Sequence, residues 1–390
     1  MAKITKRSRV KREILDCLSV YGEISIGAMN IIRRGKTGTF YNAVNQMKEY
    51  GWIDKNQTRI KSENQKRKRT REKMRYTLCN PNSKYEEYGR YVSGTKEDYK
   101  EGYRQITYGQ TVEKNTKRLS ASEIVALMYN IGLKINEYPK DLSKSEQGYY
   151  LISRYIKKEL ENNDYKIEDE IESTAFSTMT GIISMPEKSI AVYDIGSKER
   201  MSIHSYPESV MHLFINKIRG IDELKNETER IFVVNDYSKI DSLMYSTWSI
   251  RIEEAGRWKK AYKTMLDGWH SKTYCITKSE EGEAQLDLIV YEDEREISQI
   301  FAKEKGYKPY HNSLSIKCDG YEDNAYHIQA FAGELTKIKM FLSASSLYPE
   351  KDFVIHCFKE LADALNELEL PDNVEIETEE INKWLGLIKF

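Results

Sequence analysis

Cysteine is scarce in this chain: Cys17, Cys79, Cys275, Cys318 and Cys357 are scattered, and no two form a CxxC pair. An odd, dispersed set argues against a disulfide scaffold and for reduced thiols, and it offers no structural zinc site. Long apolar runs are missing too. No stretch approaches the roughly 18 to 20 residues that a membrane helix needs. The opening Met1-Ala2-Lys3-Ile4-Thr5-Lys6-Arg7 holds no apolar signal core, so a cytoplasmic location without membrane contact is expected. Neither GxxxxGK[ST], GxGxxG nor GxSxG occurs, which leaves no motif for a nucleotide-driven motor or an esterase-type nucleophile. Net charge is absent as well, with 61 Lys+Arg against 61 Asp+Glu.

That zero conceals a segregation. Residues 1–120 hold 28 bases and 13 acids, and the remaining 270 hold 33 bases and 48 acids. A basic front end suits a polyanion, whereas the acidic body does not. With 39% hydrophobic and 31% charged residues over 390 positions, the chain is long enough for two or three cored domains, and it is neither disordered nor collagenous. The expected divisions are 1–80, 81–170, 171–250 and 251–390.

In the basic segment, Val10, Ile14, Leu15, Leu18 and Tyr21 recur at helical spacing up to Gly22. A short helix over 25–32 follows, then the basic turn Arg33-Arg34-Gly35-Lys36-Thr37-Gly38. Thr39 is placed to cap a third helix over 40–50, with Phe40, Val44, Met47 and Tyr50 on its apolar stripe. Its other face carries Tyr41, Asn42, Asn45 and Gln46. Gly51-Trp52-Ile53-Asp54 and Met74-Arg75-Tyr76-Thr77-Leu78-Cys79 read as two strands around a loop from Lys61 to Lys73 that is crowded with Lys and Arg. This order resembles a winged helix-turn-helix. The resemblance implies that the third helix enters the major groove of double-stranded DNA while the wing follows the backbone. Lys36, Tyr41, Asn42, Asn45 and Gln46 are then expected at the groove, and Arg33, Arg34, Lys66, Arg67, Lys68 and Arg69 at phosphates.

The segment 80–118 is rich in tyrosine and poor in aliphatics, as in a partly ordered linker or an extended helix-and-turn segment. A helix is expected over 119–133, with Ser120 and Glu123 forming a capping box, and another over 147–162. Beyond residue 177 the period shortens. Runs at 179–185 and 189–195 read as a hairpin, 207–218 as a helix, and 230–235 as a buried strand. Further strand-like runs lie at 272–276, 286–291, 313–318, 325–331, 352–358 and 375–378, with helices over 293–305, 335–342 and 379–387. The fold class expected is an α+β multidomain protein: an N-terminal winged helix-turn-helix followed by an α/β body of short hairpins and helices, with duplicated units.

Arg118-Leu119-Ser120, Ala126-Leu127-Met128-Tyr129-Asn130-Ile131-Gly132, Thr180-Gly181-Ile182-Ile183 and Ala191-Val192-Tyr193-Asp194-Ile195-Gly196 resemble segments of the replication-relaxation proteins of plasmids and conjugative elements of Gram-positive bacteria. The resemblance spans about residues 5–235. It implies a sequence-specific DNA-binding accessory factor in plasmid replication or conjugative transfer, with a relaxase, a replication protein or a second copy of itself as partner. It also points to a body related to the restriction-endonuclease-like fold.

A nuclease of that fold needs an Asp and a Glu-x-Lys on adjacent strands, and the acids Asp194, Asp287 and Glu292 lack such a partner motif. His204, His212, His270, His311, His327 and His356 lack metal-ligand spacing, and His356, between Ile355 and Cys357, reads as a core residue. The expectation is therefore non-enzymatic, with no cofactor and no metal. The rivals are a metal-dependent DNA nuclease and a transcriptional repressor with a ligand- or partner-sensing C-terminal body.

Overall fold

The computed structural model describes residues 6–61, 70–92, 95–107, 111–136, 147–151, 179–186, 188–196, 229–238, 240, 243, 272–308 and 316–389. Among these the chain is a mixed α+β protein with eleven α-helices and three sheets, divided into one compact unit up to Ile135 and a second from Asn136. The expected helix over 207–218 and most of that over 147–162 lie outside the described residues. No described helix is long and apolar enough to cross a membrane, and all five cysteines are free.

The first unit opens with α1 (Lys6–Tyr21), whose stripe Val10, Ile14, Leu15, Leu18 and Tyr21 is buried as its spacing predicts. A three-residue strand, β1 (Glu23–Ser25), then leads into α2 (Ile26–Arg33), which Ser25 caps by accepting the Ala28 N–H at 2.9 Å. α3 (Thr37–Glu49) begins earlier than expected. Gly35 takes a left-handed φ of 68°, the chain re-enters the helix at Thr37, and the Phe40 N–H is already bonded to the Lys36 carbonyl. Thr39 therefore sits in the first turn rather than at the cap. β2 (Ile53–Lys61) and β3 (Thr70–Leu78) form an antiparallel hairpin that carries strand further into the basic stretch than the sequence suggests, and β1 pairs with β3 to complete a sheet of order β1-β3-β2.

Of the two readings of the tyrosine-rich stretch, its described residues take the helix-and-turn one. It supplies α4 (Pro81–Tyr88) and α5 (Lys96–Thr107), followed by α6 (Val112–Asn130). Tyr88 and Tyr99 are wholly buried, within an edge-and-tilt aromatic cluster that includes Trp52 and Tyr85. The Tyr99 and Tyr129 hydroxyls each donate to Asp16 at 3.1 Å. These rings hold the unit together, so Tyr88 and Tyr99 cannot stack on unpaired bases. Because α6 starts at Val112, Ser120 is mid-helix and no capping box forms. Ser122 and Glu123 instead bond the backbone N–H and hydroxyl of Ser25, at 3.1 and 2.6 Å.

β4 (Ile135–Asn136) spans the division between the units. In the second unit, β5 (Gly148–Leu151), β6 (Met179–Ser184), β7 (Ser189–Gly196), β8 (Glu229–Val234) and β9 (Thr273–Thr277) lie side by side in chain order. β5 occupies the start of the stretch expected to be helical from residue 147. β5 to β7 are antiparallel, while β8 and β9 add parallel. α7 (Glu280–Tyr291) and α8 (Glu294–Lys305) follow, then β10 (Gly320–Glu322), β11 (Ala325–Gln329), α9 (Leu335–Leu347), β12 (Asp352–Phe358), α10 (Lys359–Asn366), β13 (Val374–Glu379) and α11 (Ile381–Ile388). The third sheet runs β10-β11-β12-β13, with β10 antiparallel and the rest parallel. Both sheets thus contain one pattern: a hairpin, then two strands added parallel. Ile182, Tyr193, Phe232 and Cys275 of one sheet and Ile328, Phe353 and Ile355 of the other share a core.

Three further expectations for this unit are corrected. Leu286–Tyr291 is helix, not strand. Ser279 caps α7 by accepting the Gly282 N–H, and Leu286, Leu288, Ile289 and Val290 are all buried, a burial pattern in which helix and strand periods look alike. A Cβ on Gly282 would lie 1.9 Å from the Thr277 carbonyl oxygen, so the helix sits directly on the end of β9. Residues 316–318 are irregular, with the strand displaced to 320–322. β9, expected with the last unit, pairs with β8.

Glu23 is wholly buried, bonded to the Arg75 guanidinium and 2.7 Å from Arg118 Nε. Glu23→Gln leaves two arginines partly uncompensated and is expected to lower the unfolding free energy by about 3 kcal/mol, read from the urea midpoint of the unit's transition.

Candidate nucleic-acid interface

α3 buries Phe40, Ala43, Val44 and Met47. A helix pinned along that stripe presents the opposite one to solvent: Tyr41, Asn42 and Asn45 are exposed and Gln46 is half-buried, with Tyr41 at 50% of its full exposure. Arg33, in the last turn of α2, donates to the Tyr41 hydroxyl at 2.5 Å, and its guanidinium lies 5.7 Å from the ring centre. The pair orients both side chains at one end of the helix face. Lys36 sits beside them, but its ammonium is 2.9 Å from Glu13 Oε2, which partly neutralises it and ties the start of α3 to α1. Arg34 is half-buried in the turn. Lys66, Arg67, Lys68 and Arg69 lie outside the described residues.

The hairpin sorts its cations by strand alternation. On the inward face, the Thr58 hydroxyl accepts from Asn115 at 3.0 Å, Lys73 meets Glu123 at 3.4 Å, and Arg75 joins Glu23 and Asn56. The register places Lys55 opposite Tyr76, Gln57 opposite Met74 and Arg59 opposite Glu72 on the outward face, where Lys55, Gln57 and Arg59 are exposed. Neither Lys55 nor Arg59 has an ion-pair partner among the described residues. Lys55 Nζ lies 5.9 Å from the Tyr76 ring centre. Burial pushes the Tyr76 hydroxyl pKa up, and Tyr41 adds to the effect. Lys55, Gln57, Arg59 and Tyr76 were not singled out by sequence reasoning. The signal was present as alternation after Ile53, beneath the more conspicuous run of bases in the loop.

The first unit thus exposes amides and a phenol ring on α3 and cations on the outward face of the hairpin, in a segment where the first 80 residues hold 20 bases and 7 acids. Each side-chain amide offers a donor and an acceptor together, and an unpaired Lys or Arg offers donors only.

The acids weighed for metal-dependent cleavage do not converge. Asp194 stands near the end of β7, 3.8 Å from Lys278, whereas Asp287 lies in α7, bonded to Lys389, and Glu292 closes that helix. A different group does converge, which the linear spacing hides because it comes from neighbouring parallel strands: His356 of β12 with Glu377 and Glu379 of β13. His356 Nδ1 is 3.1 Å from Glu377 and 2.9 Å from Glu379. Lys305 already stands there, 2.5 Å from Glu379 and 3.3 Å from Glu377. Burial opposes the Glu379 charge, yet hydrogen bonds from His356, Lys305 and Trp384 hold its carboxyl down at about 2. The arrangement is a satisfied ion network whose cation is a lysine.

Comparison with known proteins gives no further guide: no protein-family model, no curated protein and no solved structure matches the chain.

Proposed function

We propose that the first unit is a winged helix-turn-helix that binds double-stranded DNA. In this reading α3 enters the major groove, Asn42, Asn45 and Gln46 meet base edges, and Tyr41 and Arg33 brace the groove wall. The β2–β3 hairpin is the wing, and Lys55 and Arg59 join the basic loop at phosphates. The observations that carry the reading are the exposed polar face of α3, with Tyr41, Asn42 and Asn45, and the exposed Lys55 and Arg59 of the hairpin, which have no ion-pair partner among the described residues. An α-helix is the element that fits the major groove, and amides spaced along one helix face can address successive bases. The acidic second unit is then the part that meets partners. Resemblance to replication-relaxation proteins supports an accessory role in replication or transfer of a mobile element, with a relaxase, a replication protein or a second copy as partner.

The two kinds of contact separate experimentally. Replacing Lys55 and Arg59 together by Ala should weaken binding to every duplex and make the salt dependence shallower by about two charges in anisotropy titrations. Asn45→Ala should cost about 1 to 3 kcal/mol at one base position of a selected site and leave unrelated duplexes unaffected. Unchanged affinity in the double variant removes the hairpin from the interface, and an unchanged base preference in Asn45→Ala removes α3 from the groove.

A further inference from the structure

The second unit contains a cavity of about 430 Å³, bounded by the β6–β7 turn, the starts of β8 and β9, the α7–α8 junction and the start of α9. Its volume is in the range that holds a small organic molecule. Three lysines line it, against five carboxylates.

The lysines are already engaged. Lys188 donates to the Ile289 carbonyl at 2.5 Å, Lys272 bonds Glu294, and Lys337 lies 2.7 Å from Asp319 and 3.3 Å from Glu294. Asp293 caps α8, Glu294 is bonded to the lysines and Glu292 is half-exposed, which leaves two carboxylates with deeply placed oxygens. Glu334 is only 8% exposed, stands at the N-cap of α9 without making a capping bond, and its carboxylate has no hydrogen-bond partner among the described residues, although its backbone carbonyl accepts from the Ile338 N–H. Glu229 is engaged by the Tyr274 hydroxyl, yet its Oε2 is buried with no partner. A desolvated carboxylate in this condition costs free energy that a cation would recover. Burial pushes the Glu334 carboxyl up to about 7, with the Glu294 charge adding to the shift and Lys337 and Lys272 opposing it. Burial also pushes Glu229 up.

The geometry distinguishes between kinds of cation. A metal ion needs three or more ligand atoms around one point, and among the described residues only the His356 group meets that condition. The cavity carboxylates come from separate elements, β8 and the start of α9, and they do not form such a cluster. We propose that this cavity binds a small aliphatic diamine or polyamine, with one ammonium group taken by Glu229 and another by Glu334. The site is independent of the duplex-binding surface and does not rest on it.

The test is calorimetric titration of the full chain at pH 7 with putrescine, cadaverine and spermidine, with ethylamine and Mg²⁺ run alongside. At least one of the three amines should bind saturably, one per chain, with Kd below about 1 mM, and ethylamine should bind more weakly. Glu334→Gln and Glu229→Gln, checked for folding by circular dichroism, should each weaken binding by at least about tenfold. A bound ammonium favours the ionised form of Glu334, whose charged neighbours are Glu294, Glu229, Lys272 and Lys337. Wild-type binding should therefore release protons, seen as a heat that varies with the ionisation enthalpy of the buffer. No saturable heat from any of the three amines would overturn the proposal. So would binding of Mg²⁺ alone, affinity unchanged in both variants, or heat independent of buffer.

Discussion

Glu23 has no contact with water, and a carboxylate so placed persists only because Arg75 and Arg118 reach it. Those arginines come from β3 and α6, so one buried charge fixes strand, hairpin and long helix together. A few residues away, Ser25 caps α2 and gives its hydroxyl proton to Glu123 of α6, which also meets Lys73. Inward-facing cations of the hairpin are thereby used in holding the unit together. Outward-facing Lys55 and Arg59 are exposed and have no ion-pair partner among the described residues. The division of basic residues between architecture and surface follows from strand alternation and from where α6 lies, not from local base density.

That constraint gives the tyrosine-rich stretch its physical meaning. Trp52, Tyr85, Tyr88 and Tyr99 form a core under α1, and the Tyr99 and Tyr129 hydroxyls converge on Asp16. Aromatic rings with one polar tip fill a small domain whose aliphatic supply is limited; Asp16 takes two of the hydroxyls, while the buried Tyr88 hydroxyl is left without a hydrogen-bond partner among the described residues. The second unit manages buried charge differently. It closes one network around Lys305, His356 and Glu379, and leaves Glu229 and Glu334 facing a cavity.

Much of the fold was legible in local periodicity. The α1 stripe, the 179–195 hairpin, β12 and the helix after Asp293 follow from spacing alone, because each is decided by its own residues. Errors arose where a distant partner decides. Nothing in Glu23-Ile24-Ser25 announces a strand, which exists because β3 lies beside it. Ser120 and Glu123 have the spacing of a cap, yet the helix begins a turn or more earlier and Glu123 serves Ser25 instead. The alternating Leu286, Leu288 and Val290 suggest a strand, but a helix buried on most sides shows no contrasting period. For the candidate interface, helix spacing found Tyr41, Asn42 and Asn45. Lys55 and Arg59 were overshadowed by the denser loop, and the burden carried by Lys36 was invisible because Glu13 lies 23 residues away.

The central claim is that the polar face of α3 and the cations around it displace counterions from a duplex. Its most direct test is the affinity of the intact protein for a double-stranded oligonucleotide over a series of salt concentrations. If about six phosphates are neutralised, log affinity should fall against log salt with a slope of about −5. Absence of binding in dilute buffer, or an affinity indifferent to salt, would contradict the account.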